Sequence, residues 1–492
     1  MHNNFAGNNS VSHNGNVLIL QSFYTITMTL IKSISGIRGT IGGSNGQNLT
    51  PIDIVCFTAS FCLLLRGKTG KERLSLVIGR DARISGEMIS KLVSGTLISM
   101  GCEVIDAGLS TTPTIEMAVV FSKADGGIII TASHNPKQWN ALKLLNENGE
   151  FISEAEGRQL IEIAEKNEFT FSEATKLGKY SSADTFISQH IERIIAMPLV
   201  DVKAIKKAGF KVVIDCVNST GGIALPALLK ALGTEEIIEL YCKPDGQFPH
   251  NPEPLPESLT ELSLAVKKNN AHLGFAVDPD VDRLAIVCEN GEMFGEEYTL
   301  VAVADFVLKK NKGNTVSNLS SSKALKEITE KNGGQYHASA VGEVNVCELM
   351  KQTKAVIGGE GNGGIIYPPL HYGRDALAGI ALFLTHLARS GKSCSALRAE
   401  YPSYFISKNK IELPAEIDLD MIFEKIGSKY SKNPQITFDG LKIFFDTDWV
   451  HLRRSNTEAI IRIYSESDMQ AKAENMAKKI IDDIRELVKD NG

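Results

Sequence analysis

Three apolar runs, each ending abruptly in a polar or glycine-rich loop, constrain this 492-residue chain more than any other feature. Leu76-Val77-Ile78 leads into Gly79-Arg80-Asp81, Val212-Val213-Ile214 into Asp215, and Val356-Ile357 into Gly358-Gly359-Glu360. Short β-branched runs bounded in this way read as buried strands. Their ends fall 136 and 143 residues apart. That spacing suggests three similar α/β units, although many α/β chains carry such strands without being repeats. Amphipathic stretches alternate with the strands, as at 84–100 and around Leu160, Ile163 and Ala164, which is the α/β pattern. At roughly 150 residues per domain the length predicts three or four domains. Boundaries are expected near 187, 292 and 402, with units over 28–187, 188–292, 293–402 and 403–492. The last unit differs in character. Strand-like segments at 406–411, 441–445 and 460–464 precede a helix whose Met476, Ile480, Ile484, Leu487 and Val488 share one face, so a smaller α+β domain is expected.

A formal charge of -6, with no run of Lys and Arg, gives no electrostatic footprint for nucleic acid or a membrane surface and favours a small-molecule partner. The eight cysteines form no C-x-x-C pair and read as reduced core residues of a cytoplasmic protein. No apolar stretch reaches the roughly 18 residues needed to span a bilayer. Residues 1–27 lack Lys, Arg, Asp and Glu and read as a disordered leader, or as a start codon placed ahead of Met28.

Four motifs carry chemistry. In Asp278-Pro279-Asp280-Val281-Asp282-Arg283 a carboxylate recurs at every second position, which on an extended backbone points all three one way and calls for a hard cation such as Mg²⁺. An EF-hand is a poor match, because Arg283 replaces the sixth-position Gly and both flanks read as strands. A haloacid-dehalogenase-type phosphatase with Asp278 as nucleophile lacks a downstream acidic pair, and a solvated acidic turn is the bland alternative. Thr131-Ala132-Ser133-His134-Asn135-Pro136 leaves the strand at 128–130. It puts Ser133 where a nucleophile can sit, though serines are also common in turns. Gly358-Gly359-Glu360-Gly361-Asn362-Gly363-Gly364 contains a formal G-x-G-x-x-G, but Pro368 and Pro369 follow too soon for a dinucleotide-binding helix. The loop suits a polyol held by Glu360, or is a plain flexible turn. Arg453-Arg454-Ser455-Asn456-Thr457-Glu458, with Arg462 beyond, makes a short loop able to cradle a phosphate, or else surface decoration. Gly391-Lys392-Ser393 is no P-loop, since residue 386 is His.

In this order the four motifs resemble the α-D-phosphohexomutase family, and Gly36-Ile37-Arg38-Gly39, Gly79-Arg80-Asp81 and Pro244-Asp245-Gly246-Gln247-Phe248-Pro249 add smaller matches. The resemblance runs from about Met28 onward. It implies a four-domain α/β architecture around a central cleft, three related α/β units plus a smaller C-terminal α+β domain. It also implies interconversion of hexose 6-phosphate and hexose 1-phosphate through a phosphoserine and a hexose 1,6-bisphosphate. Ser133 would carry the phosphoryl group and, with Asp278, Asp280 and Asp282, hold Mg²⁺. Arg38 would lie beside the phosphoserine, His134 and Lys143 would serve proton transfer, and Arg283 charge stabilisation. Glu360, with Asn362 beside it, would grip the sugar, while Arg453, Ser455, Asn456, Thr457 and Arg462 would hold the phosphate that is not reacting. The sugar loop departs from the commoner pattern with Gly364 in place of a His, which leaves His371 nearby, and Arg454 and Ala459 stand where prolines are frequent. The loop looks more like that of phosphoglucosamine mutases, with phosphomannomutase/phosphoglucomutase as the alternative and a Mg-dependent sugar phosphatase as a remote one.

Overall fold

The computed structural model of the protein describes residues 28–33, 36–412, 417–454 and 460–489. The leader expected over 1–27, and Ser455, Asn456 and Thr457 of the phosphate loop, lie outside them. Among the described residues the chain forms four sheets. The first contains β1 (Ile31–Ser33), β2 (Gly36–Thr40), β3 (Ser75–Arg80), β4 (Glu103–Leu109), β5 (Gly126–Ile130), β6 (Trp139–Leu145) and β7 (Tyr180–Ser182), ordered β1-β2-β6-β5-β3-β4-β7. The second contains β8 (Lys211–Asp215), β9 (Glu236–Leu240), β10 (Leu273–Val277) and β11 (Leu284–Cys288), ordered β11-β10-β8-β9. The third contains β12 (Thr315–Asn318), β13 (Tyr336–Ser339), β14 (Ile357–Glu360) and β15 (Gly364–Ile366), ordered β13-β12-β14-β15. The fourth is antiparallel throughout: β16 (Phe405–Glu412), β17 (Gln435–Ile436), β18 (Leu441–Phe445), β19 (Asp448–Arg454) and β20 (Ile460–Ser467), ordered β16-β20-β19-β18-β17.

The first three sheets share one plan. A parallel core, whose central strands β3, β5, β8, β10, β12 and β14 are largely buried, meets an antiparallel return: β5 to β6, β10 to β11 and β14 to β15. The first sheet continues antiparallel through β2 and β1. Parallel strands need cover on both faces, and the amphipathic helices between them supply it. The helix Pro51–Thr69 shows how sharply these are punctuated. Thr50 and Asp53 form a capping box, Pro51 opens the first turn, and Gly70 at φ 69° closes the helix in the left-handed conformation. Three α/β units with a smaller C-terminal domain are therefore present, but one strand correspondence shifts. By position β3 and β8 match β12, whereas the run at Val356-Ile357 is β14 and matches β5 and β10.

Packing joins the units unequally. The first has its own cores, and so has the C-terminal sheet beneath the helix Gln470–Lys489. One apolar cluster, in contrast, runs unbroken from Ile191 to Tyr401 through the second and third units. Among the described residues no helix is long and apolar enough to cross a membrane.

Candidate active site

Ser133 sits on the turn leaving β5 at φ 46°, in the left-handed region that non-glycine residues seldom enter. Arg83, fully buried, holds the turn there. Its guanidinium pairs with Asp81 at 3.0 Å and donates to the carbonyls of Ser133, Asn135 (2.6 Å), Pro136 (2.7 Å) and Trp139 (3.0 Å). The Thr131 hydroxyl donates to Asp81 at 2.7 Å and accepts from the Ser133 N–H at 2.9 Å. The serine hydroxyl is thereby aimed at the second unit. It donates to Asp278 Oδ2 across 2.6 Å and lies 3.3 Å from His134 Nδ1.

The three aspartates converge, but not by the period of an extended strand. Residues 278–283 form the β10–β11 turn, with Val281 at φ 64°. All three are fully buried, with carboxylate oxygens within 4.8 Å of one another. Asp280 Oδ2 accepts from Thr112 (2.6 Å) and Lys143 (2.7 Å), and Asp282 Oδ2 from Arg374 (2.6 Å). Oδ1 of Asp280 and Oδ1 of Asp282 have no hydrogen-bond partner among the described residues. Burial, together with the Asp282 and Asp280 charges, pushes the Asp278 carboxyl well above the usual range. Burial also opposes ionisation of Asp280, but the Lys143 ammonium outweighs it and holds that carboxylate below its ordinary value. Two orphaned oxygens inside a crowd of like charges are what a dication relieves, so the triad fits a hard metal ion.

A cleft of about 390 Å³ brings these loops together. Arg38 from β2, Ser133, His134, Lys143, Arg283, Glu360, Asn362, Arg453 and Arg462 all line it. Arg453 and Arg462 are directly opposed across β19 and β20, with Asp439 3.0 Å from Arg453 Nε. Like charges placed opposite one another cost stability unless an anion bridges them. Arg453 thus lies within β19, one residue before its end, instead of in a loop. Arg454 points elsewhere, to an ion pair with Asp420, and does not line the cleft.

Several cleft residues escape sequence reasoning. Arg374 is the most connected, donating to Asp282 (2.6 Å), Glu360 (2.8 Å) and Glu343 (3.1 Å), so it ties the aspartate turn to the β14–β15 turn. A Cβ at residue 364 would stand 2.4 Å from Arg374 Cδ, which explains why glycine occupies the end of that loop. His371 does not replace the missing imidazole. It lies outside the cleft lining, between Glu116 and Asp375. Asn318 donates to Glu360 at 2.8 Å, and Glu253 pairs with Arg283 at 3.1 Å. The only sequence clue to Arg374 was the Gly-Arg-Asp triplet that it shares with residues 79–81.

The charges are set by their surroundings. Burial, reinforced by Arg283, Arg38 and Arg374, pushes the His134 imidazole well below its usual value. Burial would lower Lys143, yet Asp280 and Asp282 prevail and raise it, so it stays an ammonium. For Glu360 burial is overcome chiefly by Arg374, which keeps the carboxylate ionised. Glu297, beneath Gly361, is pushed up to about 8 by burial.

Four family models match the chain in order. The phosphoglucomutase/phosphomannomutase alpha/beta/alpha domains I, II and III match residues 30–171, 188–291 and 295–404, and the C-terminal domain matches 413–483. A phosphoglucomutase/phosphomannomutase of Thermococcus kodakarensis is 38% identical over 441 residues, covering 88% of this chain and 95% of the relative. A probable phosphoglucosamine mutase of Methanopyrus kandleri is 31% identical over 461 residues, covering 93% and 98%. Among solved structures, a phosphoglucomutase/phosphomannomutase family protein from Burkholderia thailandensis superposes with a TM-score of 0.80 at 25% identity, covering 94% of this chain and 98% of its own.

Proposed function

Since the chain belongs to the phosphoglucomutase/phosphomannomutase family, and so is a phosphohexomutase, we propose that Ser133 is the side chain that carries the phosphoryl group. One observation carries this reading: the Ser133 hydroxyl meets Asp278 on one side of a cleft whose lining also includes the opposed Arg453 and Arg462. Phosphorylated Ser133 donates to the free hydroxyl of a bound hexose monophosphate, the P–Oγ bond breaking as the new P–O bond forms. The resulting hexose 1,6-bisphosphate turns end for end and returns its other phosphoryl group to Ser133. Such transfers depend on positioning and charge neutralisation more than on covalent assistance. His134, held neutral, accepts the sugar hydroxyl's proton, while the Lys143 ammonium, Arg38 and Arg283 offset developing negative charge. Glu360 takes hydrogen bonds from the sugar hydroxyls, Asn362 reads the same face, and Arg453 and Arg462 hold the phosphate at rest. Ser455, Asn456 and Thr457 are assigned to the same cradle from sequence.

Asp278, Asp280, Asp282 and the Ser133 side chain are the groups that would hold Mg²⁺, which when bound supplies positive charge at the transferring phosphoryl oxygens. We assign glucosamine phosphate as the preferred sugar, on the Gly358–Gly364 loop pattern and because the Methanopyrus relative bears that name. The higher identity to the Thermococcus protein favours glucose and mannose phosphates as the second reading. Eight unpaired cysteines suit a reducing cytoplasm. We place the divisions between units near 187, 292 and 402, which the matched stretches 188–291, 295–404 and 413–483 support.

The test joins a turnover panel of hexose 1-phosphates, run with magnesium and a bisphosphate activator, to mapping of labelled phosphate. Label is expected on the peptide containing Ser133, and Ser133→Ala should lower isomerisation by orders of magnitude. Release of inorganic phosphate without isomerised sugar, or a mild Ser133→Ala phenotype, would overturn the assignment.

A further inference from the structure

Away from the cleft, where the first unit meets the second and third, three elements bring a second group of ligand-type side chains together. His190 comes from the helix Phe186–Ile195, Asp375 caps the helix Ala376–Ser390, His371 lies on the loop before it, and Glu116 comes from the helix Thr112–Ser122. Asp375 Oδ2 lies 2.9 Å from His190 Nε2 and 3.2 Å from His371 Nε2, and the candidate ligand atoms all fall within 4.8 Å of one another. Donors bound at about 2.1 Å to one ion in a tetrahedral or octahedral shell stand roughly 3 to 3.5 Å apart, so these separations match the edges of such a shell.

The remaining atoms of Asp375 and His190 are already committed, and His371 Nδ1 faces a carboxylate without a well-formed hydrogen bond. Asp375 Oδ1 accepts from the Leu377 and Ala378 N–H groups, which fixes the direction of Oδ2. His190 Nδ1 is 3.0 Å from Thr114 Oγ1, and His371 Nδ1 is 3.2 Å from Glu116 Oε2. Metal-bound imidazoles are oriented in this way, with the far ring nitrogen held by a carboxylate or hydroxyl. Glu116 is 1% exposed and neither of its oxygens makes a well-formed hydrogen bond among the described residues, so the group contains an under-compensated carboxylate. A Cβ at residue 373 would stand 1.9 Å from Glu116 Oε2, so the loop carries glycine where it passes this carboxylate.

We propose that His190, His371 and Asp375 form a second metal site, for a transition-metal dication of the zinc or iron(II) class. Glu116 and Thr114 orient the imidazoles, and a water fills the open position. Two imidazole donors discriminate against Mg²⁺, which separates this site from the all-oxygen aspartate triad. Its role is to fasten the three units where they meet.

The full-length protein, incubated with Co²⁺ or Zn²⁺ in excess Mg²⁺ and then desalted, should retain about one transition-metal ion per chain. Asp280→Asn should retain it, whereas His190→Gln and His371→Gln should lose it. Glu116→Gln keeps all three ligands and should weaken Zn²⁺ affinity about 10- to 100-fold. Should the histidine variants fail to fold, the Glu116→Gln affinity and the visible spectrum of the Co²⁺-loaded wild type, which reports nitrogen ligation, still decide the matter. No retained ion, an ion lost in Asp280→Asn but kept in the histidine variants, an oxygen-only Co²⁺ spectrum, or an unchanged affinity in Glu116→Gln would overturn the site and leave a hydrogen-bonded chain.

Discussion

At the scale of single residues, two buried side chains outside the reaction set its conditions. Arg83 satisfies four carbonyls and Asp81 at once, and no shorter cation reaches them all. Arg83→Met leaves a buried carboxylate uncompensated, and a loss of about 3–5 kcal/mol is expected. Denaturant unfolding should register that loss, alongside a fall in turnover although Arg83 touches no substrate. Glu297 offers a pH handle. Its folded pKa is raised to about 8, so the associated stability is fully present below the unfolded carboxylate value and disappears as pH rises through 8. Melting temperatures between pH 6 and 9.5 should fall more steeply in the wild type than in Glu297→Gln, and parallel curves would tell against the raised value. Ser133 and the aspartates were legible because their chemistry is written in adjacent letters. Arg83 and Arg374 were not, since their partners come from segments far apart in the chain.

At the scale of elements, the side chains to which we assign the reaction in the first three sheets sit on three hairpins in equivalent positions: β5–β6 with Ser133, β10–β11 with the aspartates and β14–β15 with Glu360. The strands were readable from β-branched runs, but the antiparallel returns were not, because an apolar run carries no direction. For that reason Val356-Ile357 was matched with the wrong strands of the other units. In the C-terminal sheet β17 and β19 were missed; β19 mixes Arg and His with its apolar residues, and its end read as a loop. The β14–β15 turn yields a sharp steric test. Gly364→Ala forces Arg374 off its place between Asp282 and Glu360. Turnover should drop at least tenfold, equivalent to about 1.4 kcal/mol of transition-state stabilisation, with the global fold retained by circular dichroism. Wild-type kinetics in this variant would mean that Arg374 adapts freely.

At the scale of the whole molecule, the division into four units describes the sheets better than the cores. Phe383, on the helix Ala376–Ser390, meets Phe275 of β10 and Phe294 edge-on at centroid distances of 6.3 and 5.1 Å, joining the second and third units in one interior. Those two units should therefore unfold together, and the C-terminal domain, with its separate core, on its own. Calorimetry of Phe383→Ala, at a cost of about 3–5 kcal/mol, should displace the transition of the joined units, whereas Ile463→Ala should displace only the C-terminal one. A single transition moved equally by both would refute this partition. Four domains were readable from length and pattern. The fused interior was not, because burial shared between units leaves no mark that distinguishes it from burial within one. The hairpins have an evolutionary consequence. Each turn is closed by its own two strands, but the third also leans on the second, the Leu284 N–H donating to the Gly363 carbonyl at 3.2 Å, so a rewritten sugar turn must keep that contact. Descendants of such a chain that exchange one sugar for another are confined to changes at positions such as Asn362, because Gly363, Gly364 and Arg374 also hold the aspartate turn in place.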